Sequence, residues 1–156
     1  MKIKLIMIGK TTGNLYSDAI EDYKNRLKHY NNFSIHVIPG LKNTKNMSQE
    51  QQKQLEGELI LKELTTQDVV ILLDERGKEY RSLEFAKWLE NKRLTTQSIV
   101  FVIGGPYGFS DSIYERADEK ISLSKMTFSH QMVRLIFVEQ LYRACTIIKG
   151  ESYHHE

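Results

Sequence analysis

The chain has 156 residues, which is enough to bury a core without disulfides or metal but too short for two full domains. Its 40% hydrophobic and 27% charged residues are ordinary for a soluble protein, and no apolar run approaches the roughly 20 residues of a membrane-spanning helix. The 22 basic and 20 acidic residues leave a formal net charge of +2, which is too small to attract nucleic acid by its field alone.

Neither the N-terminal segment nor the cysteine content indicates export. The apolar stretch in MKIKLIMIGK breaks after about six residues, and no small-residue cleavage site follows it. The single cysteine, Cys145, lies among apolar helical residues, as a buried thiol in a reducing compartment does. Zinc-type spacing of cysteine and histidine is absent, so we expect a cytoplasmic protein without a metal site.

Strand and helix signals alternate along the whole chain, with no repeat or low-complexity segment to mark a linker. In chain order the patterns predict strand 2–9, helix 15–30, strand 33–39, helix 48–64, strand 68–74, a helix capped by Ser82, strand 98–103, helix 110–118, strand 120–124 and helix 130–149. Ser48 with Gln51 forms a capping box, and ERGKEY (75–80) is predicted to turn. This alternation predicts an α/β fold, in which crossover helices flank a parallel sheet.

The third and fourth strands are apolar throughout, which is typical of central strands covered on both faces. They end in LLD and IGGPYG, and ligands of parallel sheets bind beyond the carboxyl ends of the strands. Gly104 and Gly105 let the backbone approach a ligand closely, although a tight turn explains the same glycines. Neither GxGxxG nor GxxxxGK[ST] occurs, so the usual signals of dinucleotide and P-loop nucleotide sites are missing.

The segment SLSKMTFSHQMVR (122–134) is a second concentration of small and polar residues beside a strand end. Turn and cap roles explain its hydroxyl groups as well as ligand binding does. The helix that follows is apolar nearly all round, which predicts either deep burial or a face shared with a second copy. Its Glu139 and Arg143 are spaced for an intrahelical ion pair, whereas Arg134 and Arg143 facing outward suit a phosphate or a partner's carboxylate.

Together, five segments resemble the RlmH family of small SPOUT-class methyltransferases. They are MKIKLIMIGK, VVILLDERGK, FVIGGPYG, ISLSKMTFSHQMVRLIFVEQLYRA and ESYHHE, in the family's order and over essentially the whole chain. The resemblance implies an α/β knot, in which the C-terminal segment of a parallel-sheet domain threads a loop as a deep trefoil. It also implies a homodimer that binds S-adenosylmethionine in the knot and methylates N3 of pseudouridine 1915 in 23S ribosomal RNA, in the large subunit.

The resemblance further implies cofactor contacts after the third and fourth strands and before the last helix. These residues are Leu73, Gly105, Ser124, Lys125, Met126, Thr127, Phe128 and Ser129. Backbone groups there are expected to bind the adenine edge while apolar side chains sandwich its ring. The family commonly has proline where this chain has Ser129, so this loop is expected to be less stiff. Leu73, Gly105 and Thr127 should then line one cavity.

For catalysis, the imide proton of the target nucleotide must leave, so a nearby base or cation would help. We hypothesise that His154 of the C-terminal tail, with Tyr153, acts as this base. Arg143 is placed in the same catalytic group, and we expect it to orient RNA phosphate or the dimer partner together with Arg134. The residues expected to bind substrate are Arg134, His130 and His155. The family tail often carries a basic residue where this chain has His155.

Two other classes of function stay open on the sequence. A Rossmann-like oxidoreductase needs a phosphate-binding glycine loop after the first strand, where Gly9 and Gly13 have the wrong spacing. A noncatalytic RNA or protein interaction module predicts no stabilisation by a methyl donor. For a methyltransferase of charge +2 we expect the assembled ribosome as substrate, because a small protein with little basic field needs a shaped surface to find one nucleotide.

Overall fold

The chain folds as alternating strands and helices, described for residues 1–156 by a computed structural model. The strands are β1 (Lys2–Ile8), β2 (Asn32–Ile38), β3 (Val69–Glu79), β4 (Ser98–Ile103) and β5 (Glu119–Ser122). The helices are α1 (Asn14–Leu27), α2 (Gln49–Lys62), α3 (Ser82–Thr95), α4 (Asp111–Arg116) and α5 (His130–Ile148), with a 3₁₀ turn at Thr44–Asn46. Every strand and helix predicted from the sequence is present, and the predicted α/β architecture is confirmed.

All five strands lie parallel in one sheet, in the order β2-β1-β4-β3-β5. Alternate residues of β4 enter separate hydrophobic clusters: Phe101 packs in the larger one and Val102 in the smaller one. The larger cluster joins the sheet to α1, α3 and α5, and the smaller one joins it to α2 and α4. Helices therefore cover both faces, which is why the central strands are apolar throughout.

Strand β3 is longer than the sequence predicts. The prediction that ERGKEY turns is wrong, because β3 bulges after Leu73 and then pairs a second time with β5. Leu73 and Lys78 both lie opposite Ile121, on either side of this bulge. A β-carbon on Gly77 would lie 2.6 Å from the backbone nitrogen of Ile121, so the two backbones cross where no side chain fits. The second pairing depends on this close approach.

Helix starts follow local capping chemistry, with one shift from the prediction. The Ser48 hydroxyl accepts a hydrogen bond from the Gln51 backbone N–H at 3.1 Å, and the Gln51 side chain accepts one from the Ser48 N–H at 2.8 Å. That capping box is confirmed. Ser82, by contrast, is the first residue of α3 and not its cap, because Arg81 is in the cap position and donates its N–H to Glu84 Oε1 at 2.7 Å.

Helix α5 is buried between α1 and α3, with which it makes its main helix contacts. Phe137, Val138, Leu141 and Ala144 are all at most 1% exposed and belong to the larger hydrophobic cluster. Deep burial within one chain therefore explains much of the apolar character of this helix. None of the helices combines the length and apolarity needed to cross a membrane.

Candidate functional site

A cleft of about 910 Å³ opens beyond the carboxyl ends of β3, β4 and β5. The first turns of α2 and α5 close its sides. The strand and loop residues that line it are 73–76, around the β3 bulge, with 103–109, 121–124 and 126–128. Parallel sheets bind ligands at this position, because the loops that follow neighbouring strands meet there and the sheet holds the start of each loop rigidly.

The structure brings six of the eight predicted cofactor-contact residues into this cleft. They are Leu73, Gly105, Ser124, Met126, Thr127 and Phe128. Lys125 does not line the cleft, because its side chain is 88% exposed and its ammonium lies 3.9 Å from the Glu79 carboxylate. Ser129 is the N-cap of α5, and its hydroxyl accepts a hydrogen bond from the Met132 N–H at 3.1 Å. The three separate segments nonetheless meet around one cavity, as the resemblance implied.

The glycines of GGPYG are required by close packing and by turn geometry. A β-carbon on Gly104 would lie 2.9 Å from the Phe109 ring, and one on Gly105 would lie 2.3 Å from Glu56 Oε1. Gly108 has a φ of +85°, and its N–H donates to the Gly105 carbonyl at 3.2 Å. The turn that the sequence allowed is therefore present. All residues of this turn also line the cleft.

The LLD ending of β3 carries a hydrogen-bond network around Asp74 at the cleft, which the sequence alone does not reveal. The Tyr114 hydroxyl and the Arg76 backbone N–H, the latter at 2.8 Å, both donate to the Asp74 carboxylate. The Arg76 guanidinium donates in turn to the Tyr114 hydroxyl at 2.8 Å. Burial by itself would raise the pKa of Asp74, but these hydrogen bonds hold it below its usual value. Asp74 is therefore an ionised and already partnered carboxylate.

His130, a predicted substrate-binding residue, lies in the cleft wall at the start of α5. Its Nε2 atom is buried and has no hydrogen-bond partner. Burial lowers the pKa of His130, and the positive charge of Arg134 lowers it further. The ring is therefore neutral at neutral pH and has one nitrogen free for a ligand.

The expectation that Arg134 faces outward is wrong, because this side chain is only 1% exposed. Its guanidinium donates to the Ile8 carbonyl at 2.7 Å, to the Gly9 carbonyl at 2.9 Å and to the Thr11 hydroxyl at 3.0 Å. Arg134 thus fixes the end of β1 and the loop that follows it. Its hydrogen bonds leave it no role on an external phosphate in this conformation.

The three catalytic candidates, Arg143, Tyr153 and His154, lie together with Tyr23 and Glu139, and we call these five residues the tail cluster. Arg143 donates to Glu139 at 2.5 Å, which confirms the predicted ion pair, and to His154 Nδ1 at 3.0 Å. Tyr153 donates its hydroxyl to Glu139 at 3.0 Å, and its oxygen lies 3.2 Å from that of Tyr23. Burial, and then the hydrogen bonds with Tyr23 and Glu139, raise the pKa of Tyr153, so its hydroxyl stays protonated.

The tail cluster lies apart from the cleft of its own chain. None of its residues lines the cleft, and neither does His155, which is exposed. Arg143 follows His130 by thirteen residues on α5, which is about 20 Å along the helix axis. Because an arginine can only donate, Nδ1 of His154 is the acceptor and its neutral ring carries the proton on Nε2. Within one chain, the structure does not bring the proposed base to the cofactor-contact residues.

Comparisons with known proteins place the whole chain in one group. A family model described as "Predicted SPOUT methyltransferase" matches residues 1–154. Proteins named Ribosomal RNA large subunit methyltransferase H from Phocaeicola vulgatus, Parabacteroides distasonis and Flavobacterium johnsoniae are 62%, 60% and 54% identical to this chain over 157 residues. Each alignment covers 100% of both chains. The described structure contains no group of three or more His, Cys, Asp or Glu residues arranged to hold a metal ion.

Proposed function

The chain belongs to the SPOUT methyltransferase family, and from this we propose that it methylates large-subunit ribosomal RNA with S-adenosylmethionine as methyl donor. The observation that carries the proposal is the single cleft beyond β3, β4 and β5, which collects Leu73, Gly105 and Thr127. The RNA substrate is proposed from the names of relatives that align over the full chain. In its specific form, the proposed target is N3 of pseudouridine 1915.

The residues of the cleft fit this cofactor. Its volume of about 910 Å³ lies within the usual range of small-molecule sites. Leu73, Ile103 and Phe128 supply apolar surface for a flat ring, and the backbone of residues 126–128 supplies polar groups for the ring edge. The bound cofactor supplies an electrophilic methyl group. The chain then has to hold this group in line with the target nitrogen, and positioning of this kind lowers the barrier without covalent catalysis.

The trefoil knot is part of the proposal, because the family implies it. The pairing of β5 with β3 on both sides of the bulge supports the knot. Ile121 lies opposite Leu73 before the bulge and opposite Lys78 after it. Gly77 lies where the two backbones come closest. Because both of these pairings hold β5, the residues that follow it, 122–128, return over the ends of β3 and β4, where the cleft lies.

Proton removal from the target nitrogen is assigned to His154, assisted by Tyr153. Because the tail cluster lies apart from the cleft of its own chain, we propose a homodimer in which the tail of one copy serves the cleft of the other. To accept the proton, His154 must release Arg143, whose N–H occupies its unprotonated nitrogen. His130, already in the cleft, is proposed to contact the substrate.

The proposed function is tested by mapping methylated nucleosides in ribosomal RNA from cells with and without this protein. We expect the deletion to remove one methylated pseudouridine from the large-subunit RNA, and the purified protein to restore it. An unchanged nucleoside map would contradict the assignment.

Substrate form is tested in the same assay with assembled ribosomes and with free ribosomal RNA. We expect the ribosome to be methylated much faster, because a net charge of +2 provides little field for binding naked RNA. Equal rates would show that the assembled ribosome is not required.

A further inference from the structure

Glu56 is a buried carboxylate that no other side chain neutralises. It lies on α2 and is 6% exposed, and its Oε1 atom has no hydrogen-bond partner. Lys53, one turn earlier, lines the cleft but pairs with Glu50 at 3.1 Å. An unpaired carboxylate is expensive to bury, and burial accordingly raises the pKa of Glu56. Burial alone therefore favours the neutral acid, and a cation bound nearby would stabilise the ionised form, which no side chain of this chain does.

The carboxylate of Glu56 lies directly against a glycine of the cleft. A β-carbon on Gly105 would lie 2.3 Å from its Oε1 atom and 2.5 Å from its Oε2 atom. Gly105 itself lines the cleft, so the backbone of one residue without a side chain separates the carboxylate from a bound ligand. Gly57, which follows Glu56 on α2, packs closely on Ser110: a β-carbon there would lie 2.4 Å from the Ser110 hydroxyl. This contact holds α2 in place.

The other carboxylate buried at the cleft is already occupied. Asp74 accepts hydrogen bonds from Tyr114 and from the Arg76 backbone, and its own charge lies 3.7 Å from the Arg76 guanidinium. Glu56 has no comparable partner. Of these two groups, Glu56 is therefore the one whose charge is left for a cationic ligand.

We propose that Glu56 provides the negative charge opposite the sulfonium of the methyl donor, and so makes the cleft prefer the charged donor to its neutral product. This inference rests on the proposed function. Transfer of the methyl group breaks its bond to sulfur and leaves a neutral thioether, while the target nitrogen gains the methyl group and gives up its proton. The attraction to Glu56 exists only before transfer, because charges interact strongly at a site of low dielectric and a thioether has none. Glu56 is thus a specificity-determining residue that favours donor binding and product release.

The test compares binding of S-adenosylmethionine and S-adenosylhomocysteine to wild type and to Glu56→Gln by titration calorimetry. Glutamine keeps the shape of the side chain and removes its charge. We expect the Kd of the charged donor to rise about tenfold or more, because an ion-pair contribution is lost, and the Kd of the neutral product to stay unchanged. Sinefungin carries an amine near the sulfonium position, so its binding to the variant should weaken as that of the donor does. Glu58→Gln, an exposed change two residues further along α2, is the matched control and should alter neither Kd.

A second measurement separates this role from a structural one. The thermal midpoint of ligand-free Glu56→Gln should equal or exceed that of wild type, because an unpaired buried charge has been removed. Glu56→Asp keeps the charge and should keep a preference for the donor even if its overall binding weakens. Equal weakening of all three ligands would overturn the inference, and so would unchanged binding of all three. Wild-type protein that binds neither the donor nor the product would instead overturn the proposed function.

Discussion

At the scale of single residues, Arg134 has a structural role: it fixes the end of β1 and the loop that follows. Three of its hydrogen bonds reach the end of β1 and the following loop, more than 120 residues away along the chain. Two of these bonds go to backbone carbonyl groups, and the guanidinium that donates them is buried. Its removal therefore leaves acceptors without partners, which is the costly way to break a buried polar contact.

Arg134→Met should lower the free energy of unfolding by about 3 kcal/mol, because methionine fills the space of the aliphatic stem but donates nothing. Denaturant unfolding measures this loss. Arg26→Met is the control, since Arg26 pairs with Asp22 on the surface of α1 and exposed pairs contribute little. Equal losses in the two variants would show that the buried hydrogen bonds are not what stabilises the loop.

Gly105 and Glu56 make a pair whose coupling can be measured. Gly105→Ala should destabilise the protein by about 1–3 kcal/mol, because the new β-carbon overlaps the Glu56 carboxylate. The same change in a Glu56→Ala background should cost less, since the overlapping group is gone. A double-mutant cycle from four unfolding curves gives the coupling energy. Additive effects would mean that the loop, and not the carboxylate, requires glycine at this position.

His154→Ala should lower the rate of methyl transfer, because the variant lacks the group proposed to remove the proton of the target nitrogen. The measurement is methyl transfer over a series of pH values. His29→Ala changes an exposed histidine beyond α1 and should leave the profile as in wild type. A normal profile for His154→Ala would dismiss the base role.

At the scale of elements, the second pairing of β3 with β5 determines the cleft. The bulge between the two pairings carries Asp74 and Arg76 to the cleft, and β5 leads directly into the loop that carries Thr127. The backbones cross at Gly77, where the nearest atoms are backbone and cannot rotate away.

Gly77→Ala should therefore lower the stability by at least about 2 kcal/mol, because overpacking against rigid backbone forces the strands apart. It should also weaken cofactor binding, since both sides of the crossing line the cleft. Gly40→Ala is the control: its β-carbon would meet its nearest neighbour at an ordinary 3.8 Å. Unfolding curves and donor titrations measure the two effects. A Gly77→Ala protein as stable as Gly40→Ala would contradict the close crossing.

At the scale of the whole molecule, the cleft and the tail cluster are two halves of one proposed site that a single chain keeps apart. A homodimer reconciles them if each tail serves the neighbouring cleft. Twofold symmetry would then create two equivalent sites per dimer. The expected particle in solution has twice the 18.2 kDa of the chain.

Mixing two variants, each with one impaired part of the proposed site, tests this arrangement. Gly105→Ala impairs the cleft and His154→Ala impairs the tail, so a mixed dimer has one site in which both parts are intact. After unfolding and refolding together, an equal mixture should recover about a quarter of the wild-type activity, because half of the dimers are mixed and each has one of two sites. Each variant refolded alone gives the baseline. No recovery in the mixture would show that a tail serves the cleft of its own chain.

The sequence by itself determined the elements and the loops that form the cleft. Apolar periodicity, the Ser48 capping box and the two continuous apolar strands are local signals, because they depend on residues within a few positions of one another. The rule that ligands bind beyond the ends of parallel strands predicted the loops after β3 and β4, and the family resemblance implied that Leu73, Gly105 and Thr127 line one cavity there. The residues of the tail were likewise identified, although not their distance from the cleft.

Only the tertiary structure decided which charged side chains are buried and what they face. Arg134 on an apolar helix and Glu56 in the polar stretch QEQQKQLEGELILK have no local feature that marks them as buried. Their neighbours, the carbonyls at the end of β1 and the glycine after β4, lie far away along the chain. The continuation of β3 past its predicted turn has the same origin, since it depends on pairing with β5. Contacts between distant segments form only when the whole sheet assembles, and no window of sequence contains them.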